Sequence, residues 1–464
     1  MAATAGARAI CTEPLSCLRR ARRLSGSLLV KPYFADSLNP GVHRRELLGW
    51  AMYDFANSGY TTVVITAVFA AYFVGGVAGG ASWATLVWTI GLSISYAIVM
   101  LTMPGLGAWA DRHAAKKRLL LMVTLGCVAS TAALAWVQPG QVALGLVLLV
   151  ISNTFYSWGE SLTAAFLPEL ARPEAMGRVS GWGWALGYVG GMLTLGVCLA
   201  YVLSAQARQE SAAQFVPVTM WITAAIYGLA ASVTFALLKE HARPSLGEDH
   251  PAGYAAHLLR MRQAWRDSVA YADFRQLMAC AVAYQAGVAV AISLAAIYAE
   301  QVVGFAPQET MVLIFVLNIA AFVGAFVFGH VQDRLGHKRA LGLTIAGWIV
   351  TCMLAAASTT KGLFWVAAAV AGVFLGSSQS AGRAMAGLMV PPQRLAEFFG
   401  LWTFAIRLAS ILGPLSYGLI TWVTSGNHRL AIASTALLFV LGLWLLRPVD
   451  VARGMAAALK ATRQ

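Results

Sequence analysis

Apolar positions in this chain run in long blocks and do not alternate. Twelve blocks stand at 48–74, 83–109, 118–137, 142–167, 182–204, 216–238, 276–299, 309–331, 340–358, 362–389, 398–423 and 430–447. At about 1.5 Å rise per residue, each can cross a hydrocarbon core of about 30 Å as a helix. Helices are the expected form, because backbone groups facing lipid must satisfy one another within the segment. The pattern predicts an all-α integral membrane protein with twelve transmembrane helices in two six-helix bundles. Residues 1–46 form an N-terminal tail, 47–238 the first bundle, 239–275 a linker, 276–447 the second bundle and 448–464 a C-terminal tail. Within the linker, Tyr254 to Phe274 sets Leu258, Leu259, Trp265 and Val269 against Arg260, Arg262 and Arg266. That segment reads either as a helix along the membrane interface or as a soluble linker helix.

One polar stretch occurs twice. Gly107 to Arg118 reads GAWADRHAAKKR and Gly329 to Arg339 reads GHVQDRLGHKR, with Asp111 and Asp333 222 residues apart. Each copy closes one apolar block and begins the next. Gly permits close helix approach, and the Asp can cap the positive N-terminus of a neighbouring helix. The basic residues fall where lipid phosphates lie. An ordinary charged turn would account for one copy; two at matching places favour a shared task. Gly107, Asp111, Arg112, Gly329, Asp333 and Arg334 are therefore candidate gate residues. Both copies resemble the loop between the second and third helices of each half in the major facilitator superfamily. The second follows the G-x-x-x-D-R-x-G-x-K-R pattern throughout; the first departs from it at Ala114, where the pattern has Gly. The correspondence between halves extends to Pro168 with Pro391 and Gly190 with Gly413, both 223 apart. Gly183, Gly187 and Gly191 form a small-residue ridge suited to helix packing, and Gly413-Pro414 is expected to bend or loosen its helix.

Lys and Arg outnumber Asp and Glu by 33 to 19, an excess that could suggest nucleic acid. Its distribution does not. With the N-terminus inside, tails and inner loops hold 28 of the 33, and the outer loops hold Arg208, Lys361 and Arg429. This asymmetry predicts that both termini and residues 239–275 are cytoplasmic. It also explains the basic charge without a nucleic-acid partner. Residues 1–46 carry Arg19, Arg20, Arg22 and Arg23 but no apolar core of a secretory signal. An organelle-targeting peptide stays open beside the plainer reading of a polar cytoplasmic tail. The six cysteines form no C-x-x-C, and the eight histidines show no metal-ligand spacing. Neither a metal, a cofactor nor an enzyme is expected, and no nucleophile–base arrangement argues otherwise.

A closer resemblance rests on several motifs. The first block opens Trp50-Ala-Met-Tyr-Asp54-Phe-Ala-Asn57-Ser58-Gly-Tyr60. Leu167-Pro168-Glu169-Leu170 and Gly177-Arg178-Val179-Ser180-Gly181-Trp182-Gly183-Trp184 follow. Ala396-Glu397-Phe398-Phe399-Gly400-Leu401 and Ile411-Leu412-Gly413-Pro414 come last. As a set these resemble the vacuole-effluxer-like branch of the superfamily. Its fungal members are associated with amino-acid export from the vacuole, and its bacterial members are largely unassigned. The seventh block has Tyr284-Gln285-Ala286-Gly287 where the branch tends to carry an acid. The tenth has Gln379-Ser380-Ala381-Gly382-Arg383 where it has Q-x-x-S-R.

Charges inside hydrocarbon cost about 2.5–3.5 kcal/mol each on insertion scales, so those present are functional candidates. Asp54, Glu160, Arg383 and Arg407 lie at similar depth, and their formal charges cancel, which predicts one cluster. Asn153, Tyr156, Ser157 and Glu160 share a helix face, as do Gln379 and Arg383. By the resemblance, the first and fourth helices of each half line a central path, so Asp54, Asn57, Glu160, Gln379 and Arg383 would face it. The 223-residue offset between Glu160 and Arg383 predicts opposite walls of one cavity, where they pair or hold the two ends of a zwitterion. Trp158, Trp182 and Trp402 read as interface anchors.

The expected function is secondary transport of a small solute by alternating access. The solute is read as an amino acid or similar zwitterion, exported and coupled to protons through Glu160 or Asp54. The protein is expected to work as a monomer in the lipid bilayer, in a bacterial inner membrane or, in a eukaryote, the vacuolar membrane. A non-transporting sensor and a lipid or lysolipid translocator on the same fold are the alternatives. A sensor needs no deep acids, and a lipid path needs a lateral apolar opening.

Overall fold

The computed structural model describes residues 37–81, 83–241, 266, 268–305, 307–424 and 427–460. Among them, twelve helices are long and apolar enough to span a membrane. In the first half these are α1 (Arg44–Val77), α2 (Val87–Arg112), α3 (Lys116–Trp136), α4 (Val142–Leu170), α5 (Pro173–Ala207) and α6 (Ala212–Leu237). The second half has α7 (Ala272–Ser293), α8 (Val312–Leu335), α9 (His337–Ala357), α10 (Lys361–Leu388), α11 (Pro392–Thr421) and α12 (His428–Leu446). A shorter α13 (Val451–Lys460) follows. The all-α, twelve-helix expectation is met. Residues 242–265, with most of the amphipathic linker segment, lie outside the described residues, and Phe274 belongs to α7.

Each half is held by equivalent contacts. α1 packs on α5 and α6, and α4 on α2 and α3; in the second half, α7 packs on α11 and α12, and α10 on α8 and α9. The halves meet where α2 runs along α11 and α5 along α8, with α4 touching α11 and α5 touching α10. Small residues make the intimate contacts possible. A Cβ added at Gly187 would lie 2.9 Å from the Ser58 hydroxyl oxygen, and one at Gly191 2.9 Å from that of Thr62. The ridge therefore seats α5 on α1. Gly413 faces the Ala286 carbonyl of α7 in the same way. The helix carrying Gly413-Pro414 is continuous from Leu395 to Val423, with Pro414 inside it.

The two ends of the bundle cap their helices differently. At the end away from the Asp-Arg loops, caps are local. The Thr360 hydroxyl accepts from Leu363 N–H at 3.3 Å, and the Asn427 side chain from Leu430 N–H at 3.0 Å. At the end bearing the loops, here the basic end, α1 has a local cap, its Glu46 carboxylate accepting from His43 N–H at 3.1 Å, but other helices are capped from elsewhere. α3 begins after Ala115 with no side-chain cap of its own. The Glu240 carboxylate, just beyond α6, accepts from Lys116 N–H at 2.8 Å and Lys117 N–H at 3.0 Å instead. Helix N-termini left bare by their own sequence thus bind neighbouring segments together.

Several boundaries and placements differ from the sequence reading. The helix of α1 starts at Arg44, inside the expected tail, and is preceded by a packed segment. Leu38 forms an isolated antiparallel bridge with Ala171, and the Asn39 side chain donates to the carbonyls of Pro168 and Glu169. The expected C-terminal tail contains α13, whose Arg453 holds Asp273 at the start of α7 through two bonds of 2.7 Å. Trp182 and Trp402 are buried and are not interface anchors; they fill space between helices. Trp158 is half-buried and donates to the Thr102 hydroxyl at 2.9 Å.

Candidate functional site

At the basic end, each repeated loop reaches across to the opposite half. The Asp111 carboxylate accepts from Glu397 N–H at 3.0 Å, in the first turn of α11. The Asp333 carboxylate accepts from Gly177 N–H at 2.9 Å and Arg178 N–H at 3.1 Å, in the first turn of α5. A carboxylate on bare first-turn amides gains both hydrogen bonds and the favourable end of the helix dipole. Gly107 and Gly329 allow these approaches. A Cβ at Gly107 would overlap the Ala396 carbonyl, and one at Gly329 would lie 3.1 Å from the Gly177 carbonyl. Lys116 is fully buried here, bonded to Glu169 and 3.6 Å from Asp111. Arg112 is half-buried and Arg334 exposed; among the described residues neither makes an ion pair across the seam.

Deeper in the bundle, the four membrane charges form two separate pairs. Asp54 of α1 binds Arg383 of α10 at 2.7 Å. Glu160 of α4 binds Arg407 of α11. The direct Glu160–Arg383 pair of the sequence reading is not formed, since each of the two has another partner. The reason lies in the packing: α10 meets α5 and directs Arg383 toward α1, whereas α4 meets α11 and so takes Arg407. Both pairs join the two halves.

Their surroundings differ. Arg383 is enclosed: its Nε–H donates to the Ser180 hydroxyl at 3.1 Å and its Nη2–H to the Ser180 carbonyl at 2.8 Å. Its guanidinium carbon lies 4.8 Å from the Trp50 ring centroid and 5.2 Å from that of Trp184. Arg407 lies over Tyr96 at 5.1 Å and Tyr156 at 5.9 Å, and its buried Nε–H has no hydrogen-bond partner. The Glu160 side chain is 33% exposed, against 9% for Arg407. A third of the Glu160 side chain is thus exposed while both loops are engaged at the basic end.

Gln379 and Asn57 stand apart from these pairs. The Gln379 side-chain carbonyl accepts from Gln285 of α7 at 2.8 Å, so the residue replacing an acid on the seventh helix meets the Gln on the tenth. Asn57 accepts from the Tyr227 hydroxyl of α6 at 2.7 Å, within the first half. Sequence reasoning missed Ser180, Trp50, Trp184, Gly183 and Tyr96 as parts of the site. A Trp or Tyr on an apolar block carries no mark distinguishing a cation's wall from core filling. Among the described residues, no group of three or more His, Cys, Asp or Glu is gathered as a metal site.

The family model described as "Vacuole effluxer Atg22 like" matches residues 71–459. The chain belongs to this family. It is 28% identical over 404 residues to the "Uncharacterized MFS-type transporter YxiO" of Bacillus subtilis, covering 86% of this chain and 93% of that protein. "Autophagy-related protein 22-1" of Aspergillus fumigatus is 24% identical over 315 residues, 61% of this chain and 49% of the relative. The fold is similar to that of the human organic anion transporter MFSD10 (TETRAN). The TM-score is 0.69 at 15% identity, over 87% of this chain and 99% of that one. It also matches the major facilitator superfamily transporter FucP in its outward conformation, with a TM-score of 0.64 at 16% identity over 88% and 98%. The Atg22-like chain is an integral membrane transporter of the major facilitator superfamily, and not an enzyme.

Proposed function

We propose that this Atg22-like transporter exports a small zwitterion, an amino acid or a solute of like charge, by alternating access coupled to protons. The observation carrying this reading is the Glu160–Arg407 pair: opposite charges from opposite halves, with Glu160 partly exposed beside the unpartnered Arg407 Nε–H. A solute ammonium would take Glu160 and a carboxylate would take Arg407, so binding would replace a protein ion pair with two solute pairs at little net desolvation cost. The Asp54–Arg383 pair and the Asp111 and Asp333 caps, which also join the halves, would part when the basic end opens. The charge asymmetry puts the basic end in the cytoplasm. The family's description as effluxers supports outward movement. Proton coupling would use Asp54 or Glu160, carboxylates whose partners leave as the halves move. A proton:xylose symporter, XylE, shares the fold with a TM-score of 0.63.

Inverted membrane vesicles loaded by a pH gradient provide the test. Uptake of labelled amino acids should require the gradient in wild type and be absent in Glu160→Gln. Gradient-independent uptake would remove proton coupling, and no uptake of any zwitterion would remove the substrate class.

A further inference from the structure

The guanidinium of Arg383 fills a socket whose walls belong to the other half. The Asp54 carboxylate of α1 closes one end at 2.7 Å. On α5, the Ser180 hydroxyl and carbonyl oxygens accept at 3.1 and 2.8 Å. Trp50 of α1 and Trp184 of α5 present their ring faces. A carboxylate, two neutral acceptors and two indoles are what an organic cation needs when water is excluded.

The first half builds this socket by itself. Trp50 is fixed by donating its ring N–H to the Thr163 carbonyl of α4 at 2.8 Å. Trp184 packs against Tyr188 of the same helix at 6.0 Å. Gly183 leaves the space: a Cβ there would lie 2.5 Å from Asp54 Oδ2, 2.7 Å from Arg383 Nη2 and 2.7 Å from the Trp50 ring. The second half contributes the occupant, Arg383. When the halves part, the walls stay together and the occupant leaves. A buried carboxylate between indoles then lacks its cation.

We propose that this socket is a cation-binding site in its own right, occupied by an ammonium or guanidinium group of the transported solute once Arg383 withdraws. Arg383 is the tethered stand-in that fills the site while the basic end is shut. In export, the solute's cationic end would pass from Asp54 to Glu160 as the basic end shuts and Arg383 returns. The inference rests on the alternating-access reading, but binding to the socket is measured without transport.

The test is calorimetric titration of purified full-length protein with agmatine and with methylguanidinium. A tethered occupant lowers apparent affinity by the fraction of sites it fills, so Arg383→Ala should bind both probes at least about tenfold more tightly than wild type. Adding Asp54→Asn or Trp184→Leu to Arg383→Ala should abolish that gain. Equal binding by wild type and Arg383→Ala, or a gain that survives loss of Asp54, overturns the proposal. A second measurement covers the case in which Arg383→Ala fails to fold. In the otherwise wild-type protein, agmatine should speed thiol labelling of a Val390→Cys variant at the basic end, where Val390 is buried. Unchanged labelling at saturating agmatine overturns it too. A protein that binds agmatine through Asp54 yet moves no solute would count against the transport reading alone.

Discussion

Glu160 and Arg407 form an ion pair between α4 and α11, so the two halves share a charge contact that no covalent segment enforces. Stranding one partner of a buried pair costs about 3–5 kcal/mol. Glu160 is partly open to solvent, so the cost here is smaller. Glu160→Gln and Arg407→Gln should each lower transport by at least on the order of tenfold with folding intact. The exchange Glu160→Arg with Arg407→Glu should recover part of it if the pair acts as a gate. Recovery should be poor if each charge holds one end of an oriented solute. Normal transport in both single variants would deny the pair either role; initial rates in proteoliposomes decide.

Asp111 and Asp333 cap helices of the opposite half, away from the Glu160 level. Asp111→Ala and Asp333→Ala should therefore slow turnover while leaving solute affinity mostly intact, because a cap biases one conformation and does not touch solute. Affinity that falls as far as turnover, measured by equilibrium binding, would contradict the latch.

Ala114 has φ of +46°, in the left-handed region, where its repeat partner Gly336 has φ of +88°. An L side chain held there costs about 1 kcal/mol. Ala114→Gly should raise the melting temperature of purified protein and leave transport unchanged. A lower melting temperature would mean that the methyl group makes a packing contribution outweighing the strain.

Orientation can be checked with single cysteines in a background lacking native ones. A membrane-impermeant thiol reagent added outside intact cells should label Gln209→Cys, in the turn between α5 and α6, and spare Lys460→Cys at the end of α13. The reverse pattern would invert the topology drawn from the Lys and Arg count.

The helices were legible because lipid makes composition decisive: blocks such as 118–137 and 430–447 have no other stable form in a membrane. The capping role of the repeated Asp was legible too, since its spacing puts a carboxylate at a helix end. The pairing of the charges was not. Offset arithmetic set Glu160 opposite Arg383, but which helix of one half touches which of the other depends on three-dimensional packing. That packing sends Arg383 to Asp54 and Arg407 to Glu160. Trp182 and Trp402 misled for a related reason, because an indole near a helix end suits a lipid headgroup and a packed seam equally well.

The stubs on either side of residues 242–265 are tied to their own halves. Glu240 and His241 are bonded to α3, α4 and α1, and Asp273 is bonded to Arg453 beyond α12. Tension on the intervening chain is therefore not what holds the bundles in register; the seams are. Made as two polypeptides divided within 242–265, the protein should reassemble from its fragments. Co-purification of the second fragment on a tag carried by the first would show it, and recovery of the tagged piece alone would show that continuity of the chain is needed after all.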